Sequence, residues 1–165
     1  MSDKLIGLPP VTPEYPKVLI LGSMPSVLSL KNQEYYGNPR NHFWKILAEL
    51  FQVDSPNSYR EKMQLVHEHH IALWDAIGAC YREGSLDTNI TNEEPNDIAG
   101  IIEKYPTIRL IACNGTKAYQ TFAKYKPNDL SVDTIKLPSS SPIPGKYNKT
   151  FEEKVASWRR LLVYL

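Results

Sequence analysis

The stretch KVLILGSMPS, Lys17 to Ser26, decides the architecture. Its first half is a near-continuous aliphatic run. Strands covered on both faces read this way, because neither face alternates towards water. Gly22 and Pro25 then give a tight exit from the strand. Backbone N–H groups at such an exit can cradle an anion or a carbonyl oxygen; the same residues also fit a plain strand-to-loop turn. The segment is neither GxxxxGK[ST] nor GxGxxG, so it offers no triphosphate loop and no dinucleotide fingerprint.

Three further runs read as strands: His70–Trp74, Arg109–Ala112 and Thr134–Leu137. Helical periodicity fills the intervals. Asn41–Phe51 spaces Phe43, Trp44, Leu47, Leu50 and Phe51 along one side. Ser58–Glu61 is an S-x-x-E capping box opening a helix towards His67. Asn96–Tyr105 gathers Ile98, Ile101 and Ile102, and Thr116–Tyr125 gathers Ala118, Tyr119 and Phe122. Thr150–Glu153 is a second capping box, with Val155, Trp158, Leu161 and Leu162 expected inward. Strands alternating with helices imply right-handed crossovers and a sheet covered on both faces. The expectation is an α/β fold, a three-layer α/β/α sandwich around a central, mostly parallel four-stranded sheet.

The 165 residues suit one domain, 1–165, with 42% hydrophobic and 22% charged residues arguing against disorder. No apolar run is long enough to span a bilayer, and no signal peptide is visible at the N-terminus. Cys80 and Cys113 are separated and form no CxxC pair, so a four-thiolate metal or iron–sulfur site is not expected and a reducing cytoplasm is. Net charge is +1, but unevenly placed. Residues 1–50 carry five Lys/Arg against four Asp/Glu, residues 51–106 four against ten, and residues 107–165 ten against four. The last third is therefore the basic one, by chance clustering or as a face for a polyanion.

Parallel sheets take ligands beyond the carboxyl ends of their strands. That rule selects four loops: Gly22–Arg40, Asp75–Ile90, Asn114–Lys117 and Pro138–Lys149. In the first, Asn38 and Asn41 precede a helix and are either caps or functional amides, and Tyr35–Tyr36 either pack or form a stacking platform. In the second, Asp75 at a strand end is a ligand acceptor or a surface charge. In the third, Asn114 precedes Gly115–Thr116 at a helix start, a cap or an anion site. Around the fourth, Thr134 to Phe151 holds Lys136, Lys146 and Lys149 with no acid, and the loop's serines and prolines suit a phosphodiester backbone or an ordinary loop. His67, Glu68, His69 and His70 lack the spacing of a metal set, and His42 is expected to turn outward; no metal or cofactor is expected.

Read together, the loops resemble the uracil-DNA glycosylase superfamily, and within it the branch of hypoxanthine-DNA (deoxyinosine) glycosylases. The likeness rests on Leu21–Ser26, Pro39–Trp44, Leu73–Asp75, Gly84–Ile90, Asn114–Gly115 and Leu137–Pro142, in order along nearly the whole chain. It implies a monomeric, cofactor-free DNA glycosylase. It implies catalysis by Asn41 and a base pocket of Gly22, Ser23, Met24, Tyr36, Phe43, Asp75 and Asn114. Tyr36 matches the aromatic that stacks on a flipped base, and Asp75 stands where uracil-specific members place a base-reading Asn. DNA contacts are implied for Pro25, Ser26 and Lys136, for Ser139, Ser140, Ser141 and Pro142, and for Ile143 and Lys146. Ser141 replaces the usual wedge Leu, which leaves Ile143 or a proline for that task.

Two departures stand out. Met24 and Leu137 occupy the positions of the superfamily's usual catalytic Asn or Asp and its motif-two His or Asn. Met24 cannot orient water, and Leu137 cannot stabilise a departing oxyanion. Asp75 accepts from the N1–H of hypoxanthine, whereas uracil favours an Asn that both donates and accepts. The expected substrate is thus a deaminated purine, hypoxanthine first, with xanthine or uracil behind it, in single- or double-stranded DNA. The rivals are an inactive nucleic-acid-binding module on the same fold and an unrelated small-molecule α/β enzyme.

Overall fold

The computed structural model describes residues 3–142 and 149–165. In chain order the elements are β1 (Leu5–Ile6), β2 (Val18–Gly22), α1 (Val27–Asn32), α2 (Phe43–Phe51), α3 (Tyr59–Glu68), β3 (Ile71–Asp75), β4 (Ile77–Tyr81), β5 (Thr91–Pro95), α4 (Ile98–Lys104), β6 (Leu110–Asn114), α5 (Thr116–Tyr125), β7 (Asp133–Leu137) and α6 (Phe151–Trp158). Short 3-10 turns span Asp87–Asn89 and Arg159–Tyr164.

β3, β2, β6 and β7 form a parallel sheet in that order. β2 and β6 lie in its middle and are buried along their whole length, which is why they are apolar up to their last residues, Gly22 and Asn114. The period-two alternation sorts their side chains between two cores. Val18, Ile20, Leu73, Leu110 and Ala112 pack with Phe43, Trp44, Leu47, Val66 and Trp158 of α2, α3 and α6. Leu19, Leu21, Ala72, Ile111 and Cys113 pack with Ile98, Ile101, Ala118 and Phe122 of α4 and α5. Helices thus cover both faces, giving the three-layer sandwich. Truncating Ile20 or Leu110 to Ala would cost about 2–5 kcal/mol at these fully buried sites.

The outer edge of β3 is closed by Val11, which exchanges two hydrogen bonds with Leu73 (2.8 and 2.9 Å). Cys80 and Cys113 are free and buried. No helix among the described residues is long and apolar enough to cross a membrane.

Several expectations need correction. The Asp75–Ile90 loop contains β4, which pairs antiparallel with both β1 and β5 in a second, three-stranded sheet. Its middle, Gly78–Cys80, is small and the residues of β5 are mostly polar, so neither shows a strand pattern alone. α1 also lies inside an expected loop, capped by Ser26. His70 falls outside β3 because its φ of 59° is left-handed. The Ser58 box is half formed: Ser58 caps Glu61 N–H, but the Glu61 carboxylate accepts from Asn57 N–H. The Thr150 box is complete. Tyr119 is 39% exposed and Leu162 37% exposed, so neither faces inward. Leu162 turns out because the chain tightens into a 3-10 turn after Trp158.

Candidate active site

The last residues of the four parallel strands form one row. Asp75 lies opposite Gly22, Leu21 lies opposite Cys113, and Asn114 lies opposite Leu137. Above that row is a cleft of about 390 Å³. Gly22, Asp75, Asn114 and Tyr36 line it, with Asn41 and the serines of the last loop on another wall and Leu86 and Asp87 on a third.

Gly22 is needed for close approach. A Cβ there would overlap Asp75 Oδ1 and sit 3.1 Å from the Tyr36 hydroxyl. Asp75 is 4% exposed, and its Oδ2 has no hydrogen-bond partner among the described residues. Burial first, and the Asp87 carboxylate second, push its pKa up to about 7; Arg82 opposes them.

Tyr36 is held in the left-handed region (φ 51°). Its ring stacks on Phe43 at 3.8 Å and 12° and meets the Trp44 ring edge-on. Phe43 is fully buried beneath it and does not line the cleft. A bulky aromatic opening an amphipathic helix is the helix's core contact, which the family likeness alone did not separate from a base contact. The Tyr36 hydroxyl makes no full hydrogen bond among the described residues, although the Asn114 side chain is near enough to oppose the rise of its pKa. Burial, then Asp75, hold that phenol well above its ordinary pKa.

Asn41 is placed just before α2. Its Oδ1 accepts from Phe43 N–H at 2.9 Å and its own N–H donates to Asn38 O at 2.9 Å. The capping reading therefore holds for the carbonyl end of its side chain. The amide nitrogen is the end left for the cleft, and it is a donor only.

Asn114 is used differently. Its Nδ2 donates to Ser140 Oγ and its Oδ1 accepts from Ser140 N–H, both at 2.9 Å. This ties the last loop to the end of β6. Ser140 is buried, and its carbonyl accepts from His42 N–H at 3.0 Å. Ser141 carbonyl accepts from the buried Lys154 Nζ at 3.2 Å, and that amine also lies 3.2 Å from His42 Nδ1. His42 thus turns towards Lys154 rather than outward, because α6 packs against the start of α2. Burial, then Lys154, hold the imidazole below its ordinary pKa.

Ser23 lines the cleft and donates to Asp87 Oδ1 at 2.7 Å. Met24 also reaches the cleft but is packed with Ile77, Cys80 and Ile90. Ser26 caps α1, and Pro25 carbonyl accepts from Arg82 Nη2 at 2.6 Å. Pro25 is therefore a backbone clamp beneath the rim. Ser139, Ser140, Ser141 and Pro142 are on the wall, whereas Lys136 is exposed on β7 outside it. Ile143 and Lys146 lie outside the described residues. Three groups escaped the sequence reading: Asp87 and Arg40, which line the cleft, and Lys154, which clamps its wall. The segment Gly84–Ile90 and the PRN run held the signal for the first two. Nothing marked Lys154, since a lysine in a helix reads as surface. Among the described residues no cluster of three His, Cys, Asp or Glu could hold a metal ion.

The family described as the uracil DNA glycosylase superfamily matches residues 9–162. A Methanosarcina acetivorans protein named hypoxanthine DNA glycosylase is 38% identical over 151 residues, covering 90% of this chain and 93% of the relative. A Methanosarcina barkeri protein of the same name is 32% identical over 155 residues, covering 92% and 94%. A solution NMR structure of a candidate uracil DNA glycosylase from Methanosarcina acetivorans superposes with a TM-score of 0.81 at 36% identity, covering 97% of this chain and 99% of that one.

Proposed function

The chain belongs to the uracil DNA glycosylase superfamily, and from that premise we propose that it is a monofunctional DNA glycosylase for deaminated bases, hypoxanthine before xanthine or uracil. The observation that carries the reading is the buried, unpartnered Asp75 carboxylate over Gly22, at the floor of a cleft sized for one base. A buried acceptor without a donor costs free energy unless a ligand supplies one. The N1–H of hypoxanthine is such a donor.

The base must leave the stack to reach this floor. The last-loop serines and Arg40 would grip the flanking phosphates. As the C1′–N9 bond breaks, its electron pair departs with the base and C1′ becomes cationic. A water oxygen then bonds C1′ and gives one proton to solvent, while the base takes one up. Asn41 does not titrate near neutral pH, so it is no general base. Its free amide N–H2 is suited to donate to the departing base, where negative charge develops. Apolar Met24 supplies no water ligand, so the nucleophile would meet a cation already formed.

We take the active unit to be a single domain, a monomer without an iron–sulfur cluster, working on single- or double-stranded DNA in a prokaryotic cytosol. The decisive experiment is alkaline strand cleavage of oligonucleotides bearing hypoxanthine, xanthine or uracil opposite T and C. Cleavage at hypoxanthine is expected. No cleavage with salt-sensitive DNA binding would favour the inactive module, for which the packed Met24 and Leu137 speak. Neither cleavage nor such binding would point to a small-molecule enzyme.

A further inference from the structure

We propose that the Tyr36 hydroxyl is the second half of a base-reading pair: it donates to the carbonyl oxygen next to the N–H that Asp75 accepts. The inference rests on the glycosylase reading and deepens it, by defining the substrate class as bases with a lactam edge, –NH–C(=O)–.

Two buried polar atoms in the cleft lack partners among the described residues, Tyr36 Oη and Asp75 Oδ2. They converge. A single point, the place of a Cβ on Gly22, lies 3.1 Å from Tyr36 Oη and in overlap with Asp75 Oδ1. Only a glycine leaves that point open. The two groups are not bonded to each other, and the Asn114 amide, which interacts with the Tyr36 phenol, is already bonded to Ser140 at both ends, so an entering base can supply each group with a full partner.

The hydroxyl is also fixed in place. The Phe43 stack and the Trp44 edge contact lock the ring. The next residue, Gly37, is tied by its N–H to Ser29 Oγ at 2.9 Å, which secures the turn holding Tyr36 left-handed. With one face covered by Phe43, the ring presents its polar tip to the floor of the cleft. Its function there is hydrogen bonding in addition to any stacking.

The chemistry of the pair then sorts bases. Hypoxanthine, xanthine and uracil each place an N–H beside a carbonyl oxygen, matching one acceptor and one donor. Adenine and cytosine place a bare ring nitrogen beside an amine. That nitrogen would face the Asp75 acceptor with no proton to give, and the amine would leave the Tyr36 O–H without an acceptor, although the phenol oxygen can accept from it. The pair thus separates deaminated bases from their parents chiefly by the reversed contact at Asp75. Guanine shares the lactam edge, so its rejection falls to the 2-amino group. The same hydroxyl would steady the oxygen as the base leaves with negative charge.

The test is Tyr36→Phe, which keeps the ring and its stack. Three quantities are measured: single-turnover release of hypoxanthine from an oligonucleotide, affinity for an abasic-site oligonucleotide, and Tm. Release should fall about 10- to 100-fold, with abasic affinity and Tm unchanged. Combined with Asp75→Asn, the two losses should be non-additive, since both groups hold one edge. Unchanged release by Tyr36→Phe in an active wild-type background overturns the inference alone. So does a loss matched by an equal loss of abasic affinity, which would mark a structural role. A wild-type protein that releases no base removes the glycosylase reading, and this inference with it.

Discussion

Asn114 and Ser140 are joined by two reciprocal hydrogen bonds of 2.9 Å, amide to hydroxyl and backbone N–H to amide carbonyl. One side chain at the end of β6 therefore holds Ser140, in the described part of the last loop, at the cleft. Asn114→Ala would leave the buried Ser140 N–H without its acceptor. A loss of about 2 kcal/mol is expected, or roughly 4–8 °C in Tm for a chain of this size. Thermal melts settle the matter. A variant with wild-type stability and no activity would make Asn114 a direct base contact rather than a clamp.

Asn41 does two things with two ends of one amide, and two substitutions separate them. Asn41→Ala removes both, so it should lose about 1 kcal/mol of helix capping along with base release. Asn41→Asp keeps an acceptor for Phe43 N–H and removes only the donor. It should keep its Tm yet release hypoxanthine on the order of 10²–10³-fold more slowly, with DNA binding retained. An active Asn41→Asp would move catalysis elsewhere on the cleft wall.

These roles were unevenly legible in the sequence. β2 and β6 could be read because strands buried on both faces are apolar along nearly their whole run, and their carboxyl ends then pointed to Gly22 and Asn114. Asp75 was legible for the same reason. The β4–β5 pairing was not, since Gly78 and Ala79 carry little side chain and Glu93 and Glu94 face outward or to an edge; the partner strand sets that structure. The family likeness puts Tyr36 and Phe43 together in the base pocket, and the stack between them shows that one is wall and the other support. Lys154 was hidden because burial of a lysine depends on what packs over its helix.

Asp75 should also make stability depend on pH. Its folded pKa is pushed up to about 7 from an ordinary 3.8, so ionisation is disfavoured in the folded state. Stability is then fullest below about pH 4 and declines as pH rises through 7. Asp75→Asn removes this term. The variant should gain on the wild type by an amount growing between pH 4 and 8, to at most a few kcal/mol. Urea melts across that range measure it, and parallel pH profiles would show that the carboxylate is not the source. The same variant keeps an acceptor for the lactam N–H but weakens it by removing its charge, so release of hypoxanthine and of uracil should both fall. Unchanged release of both would remove Asp75 from base reading.

Lys154 is buried in α6, yet its amine reaches Ser141 O and His42 Nδ1, both at 3.2 Å. It joins the last loop to the residue beside Asn41, two walls that must keep a fixed spacing around a flipped base. While the lysine is charged, His42 must be neutral to accept from it. Below the lowered His42 pKa the ring gains a proton and the two cations repel, so this contact stabilises the fold above that point and is lost on acidification. Lys154→Met keeps similar bulk without charge. Replacing a buried ion by an apolar side chain is often near neutral for stability, so Tm at pH 7 should change little and fall less steeply towards pH 5 than in the wild type. Base release should drop by about tenfold as the walls loosen. Full activity in this variant would show that the Asn114–Ser140 clamp alone sets the spacing.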